Sequence, residues 1–164
     1  MKTPFETPTV EEEMGEGARI LHTLEQTGKY VFHGSPHANI PELNPHQPTD
    51  WPDDIEQEDG DPCVAASQFA DPAIFHAVVR GDWRGFGQDR DDRSIFMHAT
   101  QKALDLARGQ KAYVYVFLKS AFAPRNGDER DMEWRSEGNQ KPIQVVEVTD
   151  RDLPKNITIL PPKD

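Results

Sequence analysis

His33, Gly34 and Ser35 follow directly on the apolar and aromatic run Tyr30-Val31-Phe32. Valine and aromatic residues favour extended backbone and Pro36 ends the run, so the pattern predicts a strand that delivers an imidazole, a bare backbone and a hydroxyl to one place. All three can do chemistry. The imidazole titrates near neutral pH, the hydroxyl both donates and accepts, and glycine lets backbone N–H and C=O groups approach a ligand closely. A second reactive group comes late in the chain: Glu133, bracketed by Met132 and Trp134. Strand alternation places its carboxylate on the face opposite to theirs. Glu129 and Glu137 flank it as competing acids. The same residue types also have plain structural uses. A strand ending in a Gly-Ser-Pro turn is common, and an acid in so acidic a chain is ordinarily a solvated surface charge.

Composition narrows the classes of function. The chain has 164 residues, the size of one domain spanning 1–164, with a lead-in and helix over 1–28 and a core over 29–160. Eighteen Lys and Arg stand against 29 Asp and Glu, a net charge of -11, which disfavours direct nucleic-acid binding. A single cysteine, Cys63, excludes an intrachain disulfide and a CxxC zinc site. It reads as a small buried residue. His33 and His37 could ligate a metal, but Gly34 and Pro36 put them in a turn with no carboxylate-rich partner motif beside it, so no metal is expected. No apolar run approaches membrane-spanning length and the acidic N-terminus is unlike a signal peptide; a cytoplasmic protein is expected.

The elements that must position these groups follow from pattern. Thr9 to Glu12 has capping-box spacing, and Val10, Met14, Ala18 and Leu21 share one stripe, predicting a helix over 10–26 stopped by Gly28. His22 is expected to be exposed on it. Five prolines between 36 and 52 and the acidic run 50–61 predict a long irregular surface loop. Residues 62–67 read as a short buried strand. Asp71 and Pro72 then open a helix ending near Gly81, with Ile74, Ala77 and Val78 inward and Phe75 and His76 beside that stripe. Residues 83–87 read as a glycine-loosened loop, 94–98 as a strand, and Thr100 as the cap of a helix with Ala103, Leu104 and Ala107 buried. Residues 112–118, apolar on both faces, predict a central strand, and 142–148 and 157–160 two more. The class is α+β with a largely antiparallel sheet.

Three pieces in order, His33-Gly34-Ser35 after an early strand, Val64-Ala65-Ala66-Ser67 before a helix carrying Phe75, and Glu133-Trp134-Arg135-Ser136 before a late strand, resemble the ADP-ribosyltransferase-like fold over roughly residues 30–150. The resemblance is to the branch of poly(ADP-ribose) polymerases and diphtheria-type toxins, with RNA 2'-phosphotransferases as more distant relatives. It implies a split, largely antiparallel sheet with flanking helices, and NAD as the substrate. By position, His33 would bond a ribose hydroxyl of NAD, Gly34 would offer backbone groups to the nicotinamide carboxamide, and Ser35 and Ser67 would line the same site. Phe75 falls where that branch has a tyrosine stacked on the nicotinamide ring, and Glu133 would bond the 2'-hydroxyl of the nicotinamide ribose. Phenylalanine in place of tyrosine is a departure, as is the lack of a second tyrosine near Val64.

The implied reaction is cleavage of the nicotinamide–ribose bond and transfer of ADP-ribose to an acceptor, macromolecule or small molecule. The alternative is a catalytically silent module that binds a nucleotide or a protein. RNA 2'-phosphotransfer needs several basic residues around the phosphate, which the net charge of -11 disfavours.

Overall fold

In the computed structural model, which describes residues 14–50, 57–81 and 84–162, the elements run α1 (Glu16–Gln26), β1 (Tyr30–Ser35), β2 (Thr49–Asp50), β3 (Gln57–Glu58), β4 (Val64–Ser67), α2 (Ala70–Val78), β5 (Arg84–Gln88), β6 (Ile95–Thr100), α3 (Gln101–Ala107), β7 (Ala112–Leu118), β8 (Ala123–Pro124), β9 (Glu133–Ser136), β10 (Gln144–Val148) and β11 (Thr158–Leu160). Six strands form one antiparallel sheet in the order β10-β7-β1-β4-β9-β8. A second sheet, β11-β6-β5, contains the parallel pair β11–β6, and β2 and β3 make a short hairpin. The class is α+β with mostly antiparallel sheet, as composition and pattern predict. Among the described residues no helix is long and apolar enough to cross a membrane.

β7 is central because both its faces are apolar. Val114 and Val116 pack with Leu21 of α1 and Ile74 and Ala77 of α2, while Tyr115 and Phe117 pack with Val31, Val64 and Trp134 on the other side. Both clusters hang on β1, which pairs with β7 over six residues, from Tyr30↔Leu118 to Ser35↔Tyr113. The strand carrying His33 is thereby anchored along its whole length to the central strand.

α1 starts at Glu16, with Gly28 (φ +71°) ending its last turn as the sequence predicts. The Thr9–Glu12 capping box lies outside the described residues. Its two glycines are contact points: a Cβ on Gly15 would sit 2.2 Å from Asp152 Oδ1, and one on Gly17 2.6 Å from the Glu147 carbonyl. The close approach lets buried Asp152 accept from Ala18 N at 2.8 Å, supplying a cap from the far end of the chain. His22, expected to be exposed, is half-buried and bonded to Asp71.

α2 begins earlier than its sequence signals. Phe69 is the N-cap and Asp71 lies inside the first turn, because Glu25 of α1 accepts from Ala70 N at 2.5 Å and frees Asp71 for His22. α3 follows its signals, with Thr100 Oγ1 accepting from Ala103 N and Gly109 at φ +72° beyond its end. Residues 84–88, expected as a loop, form strand β5. Gly85 and Gly87 lie under the rings of His98 and Phe96, where a Cβ would come within 2.5 Å and 2.6 Å, so β6 supplies the cover that the glycines lack.

Candidate active site

β1 and β4 pair at one registered position, Phe32↔Ser67. Beyond it they part, and the His33 imidazole bridges the gap: Nδ1 lies 2.8 Å from the Ala65 carbonyl. A carbonyl only accepts, so Nδ1 carries the proton and Nε2 is left as a bare acceptor. Burial pushes the His33 pKa below its ordinary 6.5, opposed by the bond to Ala65 and reinforced by His46. The ring is neutral at pH 7.

A cavity of about 180 Å³ opens at this split, lined by strand residues His33, Gly34, Ser67 and Glu133 and by His76 and Phe86 from α2 and β5. It is smaller than the roughly 300–1,000 Å³ typical of sites for drug-sized ligands and has room for a single ring or sugar. Register explains why Glu133 reaches it. Ser67 pairs with Phe32 on one side and with Glu133 on the other, forming a row across three strands that brings Glu133 to the cavity. Alternation on β9 turns Trp134 and Ser136 inward to the core and leaves Glu133 and Arg135 together on the opposite face.

Glu133 sits in a network of four charges. Arg135 Nε donates to Glu133 Oε2 at 2.5 Å, while its Nη1 and Nη2 donate to the Asp59 carbonyl and carboxylate at 2.7 and 2.9 Å. Arg125 Nη2 donates to the same Asp59 carboxylate at 2.5 Å and its Nε lies 3.8 Å from Glu133 Oε2. Burial opposes ionisation of Asp59, but the bonds from Arg135 and Arg125 outweigh it and hold its pKa below the usual carboxylate value. The acidic stretch that reads as a solvated excursion therefore sends one carboxylate back to the site; residues 51–56 lie outside the described residues.

Of the other expected site residues, Gly34 and Ser67 line the cavity and Ser35 does not. Ser35 Oγ accepts from His37 N, closing the turn after β1. Gly34 is required for a reason the sequence does not reveal: a Cβ there would lie 2.0 Å from the Ala73 carbonyl, so the close approach is made by the backbone of α2. Ser67 Oγ donates to the Phe69 carbonyl and accepts from Phe69 N, shaping the entry into α2.

The stacking role expected of Phe75 is corrected. Its ring has no exposed surface and packs against Val79, Met97 and Phe86, with centroids 5.9 Å apart from the last. α2 is a buried helix whose core face is wide enough to include Phe75, which leaves His76 at the cavity. His76 lies edge-on to His33 and to Phe86, at centroid distances of 6.4 and 5.6 Å. Arg84 Nη1 approaches His76 Nδ1 at 3.3 Å. A guanidinium only donates, so Nδ1 accepts and Nε2 carries the proton of the neutral ring. Burial, then Arg84, then His33 push its pKa down to about 4. The cavity thus holds two neutral imidazoles of opposite tautomer. The signal for His76 was present in its position beside the α2 stripe, shared with Phe75.

Cys63 is buried, with its thiol pKa raised chiefly by burial, as a packing residue requires. Among the described residues no three His, Cys, Asp or Glu side chains are grouped to hold a metal ion. A second, open groove of about 670 Å³ carries Lys29, Lys119 and Glu129 but neither His33 nor Glu133. Comparison with protein-family models, curated proteins and solved structures gives no match to this chain.

Proposed function

We propose that this protein is an NAD-dependent ADP-ribosyltransferase of the ADP-ribosyltransferase-like fold, cleaving the nicotinamide–ribose bond in the cavity between β1 and β4. The observation that carries the reading is the convergence of His33 and Glu133, from opposite ends of the chain, on one cavity at a split in an antiparallel sheet. Loss of nicotinamide builds positive charge on the ribose. A fixed carboxylate at that point stabilises the transition state more than the ground state, and Glu133 is held by Arg135 through one oxygen, Oε2. The bare Nε2 of His33 accepts from a ribose hydroxyl and so orients the sugar. The acceptor is a macromolecule or small molecule that takes the ribose C1'.

Nicotinamide release from NAD, measured on the purified protein beside Glu133→Gln and His33→Ala, tests the reading. Release that falls about 100-fold or more in Glu133→Gln supports it, in line with removing a preorganised transition-state partner. A protein that neither binds NAD nor releases nicotinamide overturns it. The burial of Phe75 favours a second reading, a binding module without turnover, because the aromatic expected against the nicotinamide ring is absent from the cavity. NAD binding with no release identifies that case.

A further inference from the structure

Arg84 stands apart from the other partly buried arginines. Arg93, Arg125 and Arg135 each meet carboxylates. Arg84, half-buried on β5, has no carboxylate partner among the described residues; its guanidinium faces His76 at 3.3 Å. Its surroundings disfavour its charge, first through burial and then through the neighbouring Arg80. Among the described residues no acid balances this guanidinium, and the His76 ring that it faces is neutral. An unneutralised, partly desolvated guanidinium is costly, and an anion that binds there recovers that cost. His76 connects this site to the cavity, since its ring lines the cavity wall while its Nδ1 faces Arg84.

We propose that Arg84 forms a subsite for the phosphate or pyrophosphate group of the ligand whose ring or sugar enters the cavity beside His76. The chemistry is that of a guanidinium fork binding phosphate oxygens through charge-assisted hydrogen bonds. For the NAD of the proposed function, a cavity of about 180 Å³ leaves the pyrophosphate outside it, where Arg84 stands. Naming NAD as the source of the pyrophosphate rests on the proposed function; the subsite itself does not.

Calorimetric titration of the whole protein with inorganic pyrophosphate and with ADP-ribose tests the subsite without turnover. Both are expected to bind, to compete with each other, and to weaken about tenfold or more in Arg84→Ala, while Arg108→Ala on α3 binds as wild type. Arg84→Lys keeps the charge but loses the fork, and is expected to fall between wild type and Arg84→Ala; it carries the test together with Arg84→Gln if the alanine variant does not fold. Absence of pyrophosphate binding by wild type, or affinities within twofold of wild type in Arg84→Ala or Arg84→Gln, overturns the proposal. The two readings fail differently. Arg84-dependent binding of pyrophosphate and ADP-ribose with no nicotinamide release from NAD sinks the transferase and keeps the subsite, whereas nicotinamide release without Arg84-dependent anion binding sinks the subsite alone.

Discussion

Arg135 donates its Nε proton to Glu133 Oε2, two positions back on the same strand face, and the same guanidinium holds Asp59 by two further bonds. The candidate catalytic acid is thus aimed by a residue that is itself tethered to the loop before β4. Replacing Asp59 with Asn weakens the tether and leaves Glu133 in place. The expected result is a drop of about tenfold in the rate of nicotinamide release with KM for NAD little changed, and recovery in Asp59→Glu. An Asp59→Asn protein with unaltered turnover refutes the positioning role. Arg135→Ala removes both grips and is expected to cost about 1.5–3 kcal/mol in urea denaturation as well.

Gly34 packs against the backbone of α2. Gly34→Ala is expected to destabilise the protein by about 1–3 kcal/mol or more through overpacking, since backbone atoms at 2.0 and 2.8 Å cannot step aside. Gly138→Ala, where a Cβ meets nothing within 4 Å, serves as control and is expected to stay within about 0.5 kcal/mol of wild type. Equal midpoints for the two variants in chemical denaturation contradict the packing.

Phe75 is a core residue. Phe75→Leu is expected to lower stability by about 1–2 kcal/mol while leaving the dissociation constant for NAD within about twofold of wild type. Phe86→Ala, at a residue that lines the cavity, is expected to weaken NAD binding several-fold. Fluorescence-monitored NAD titration of both variants decides between them; a large loss of affinity in Phe75→Leu restores the stacking role.

His22 couples α1 to α2 by its bond to Asp71 at 2.9 Å and its approach to Glu25 at 3.7 Å. Those two acids raise its pKa from 6.5 to about 10 against the cost of burial. A raised pKa means that the folded state binds the proton more tightly. The stabilisation is complete below pH 6.5 and is lost as pH rises from there through about 10. After allowance for solvent screening the contribution is about 1–2 kcal/mol. His22→Gln is expected to flatten that part of the stability–pH curve, measured by urea denaturation between pH 6 and 10. A curve of unchanged slope rejects the coupling.

His76 has the opposite sign. Its depressed folded pKa leaves stability intact above 6.5 and removes it as pH falls through about 4. His76→Gln, which cannot take up a proton, is expected to lose less stability than wild type between pH 6.5 and 4. Ring-nitrogen NMR reports the same titration directly. A His76 signal that titrates near 6.5 contradicts the burial of the ring.

Local pattern alone determined the pieces: the apolar run that became β7, the cap at Thr100, the left-handed glycines at 28 and 109, and the strand ending at His33-Gly34-Ser35 are all short-range chemistry, decided by side-chain periodicity and backbone freedom. Even the face of Glu133 was legible, because alternation on a strand needs no knowledge of its neighbours. Tertiary structure decided everything that depends on who lies opposite. The register Phe32↔Ser67↔Glu133 brings the acid to the cavity that His33 also lines, β6 rings cover the glycines of β5, and the packing of α2 buries Phe75 while leaving His76 at the cavity. A side chain's own type says what it can do; which surface it meets is set by sheet order and helix packing, and those are fixed only when distant segments bury one another's apolar faces.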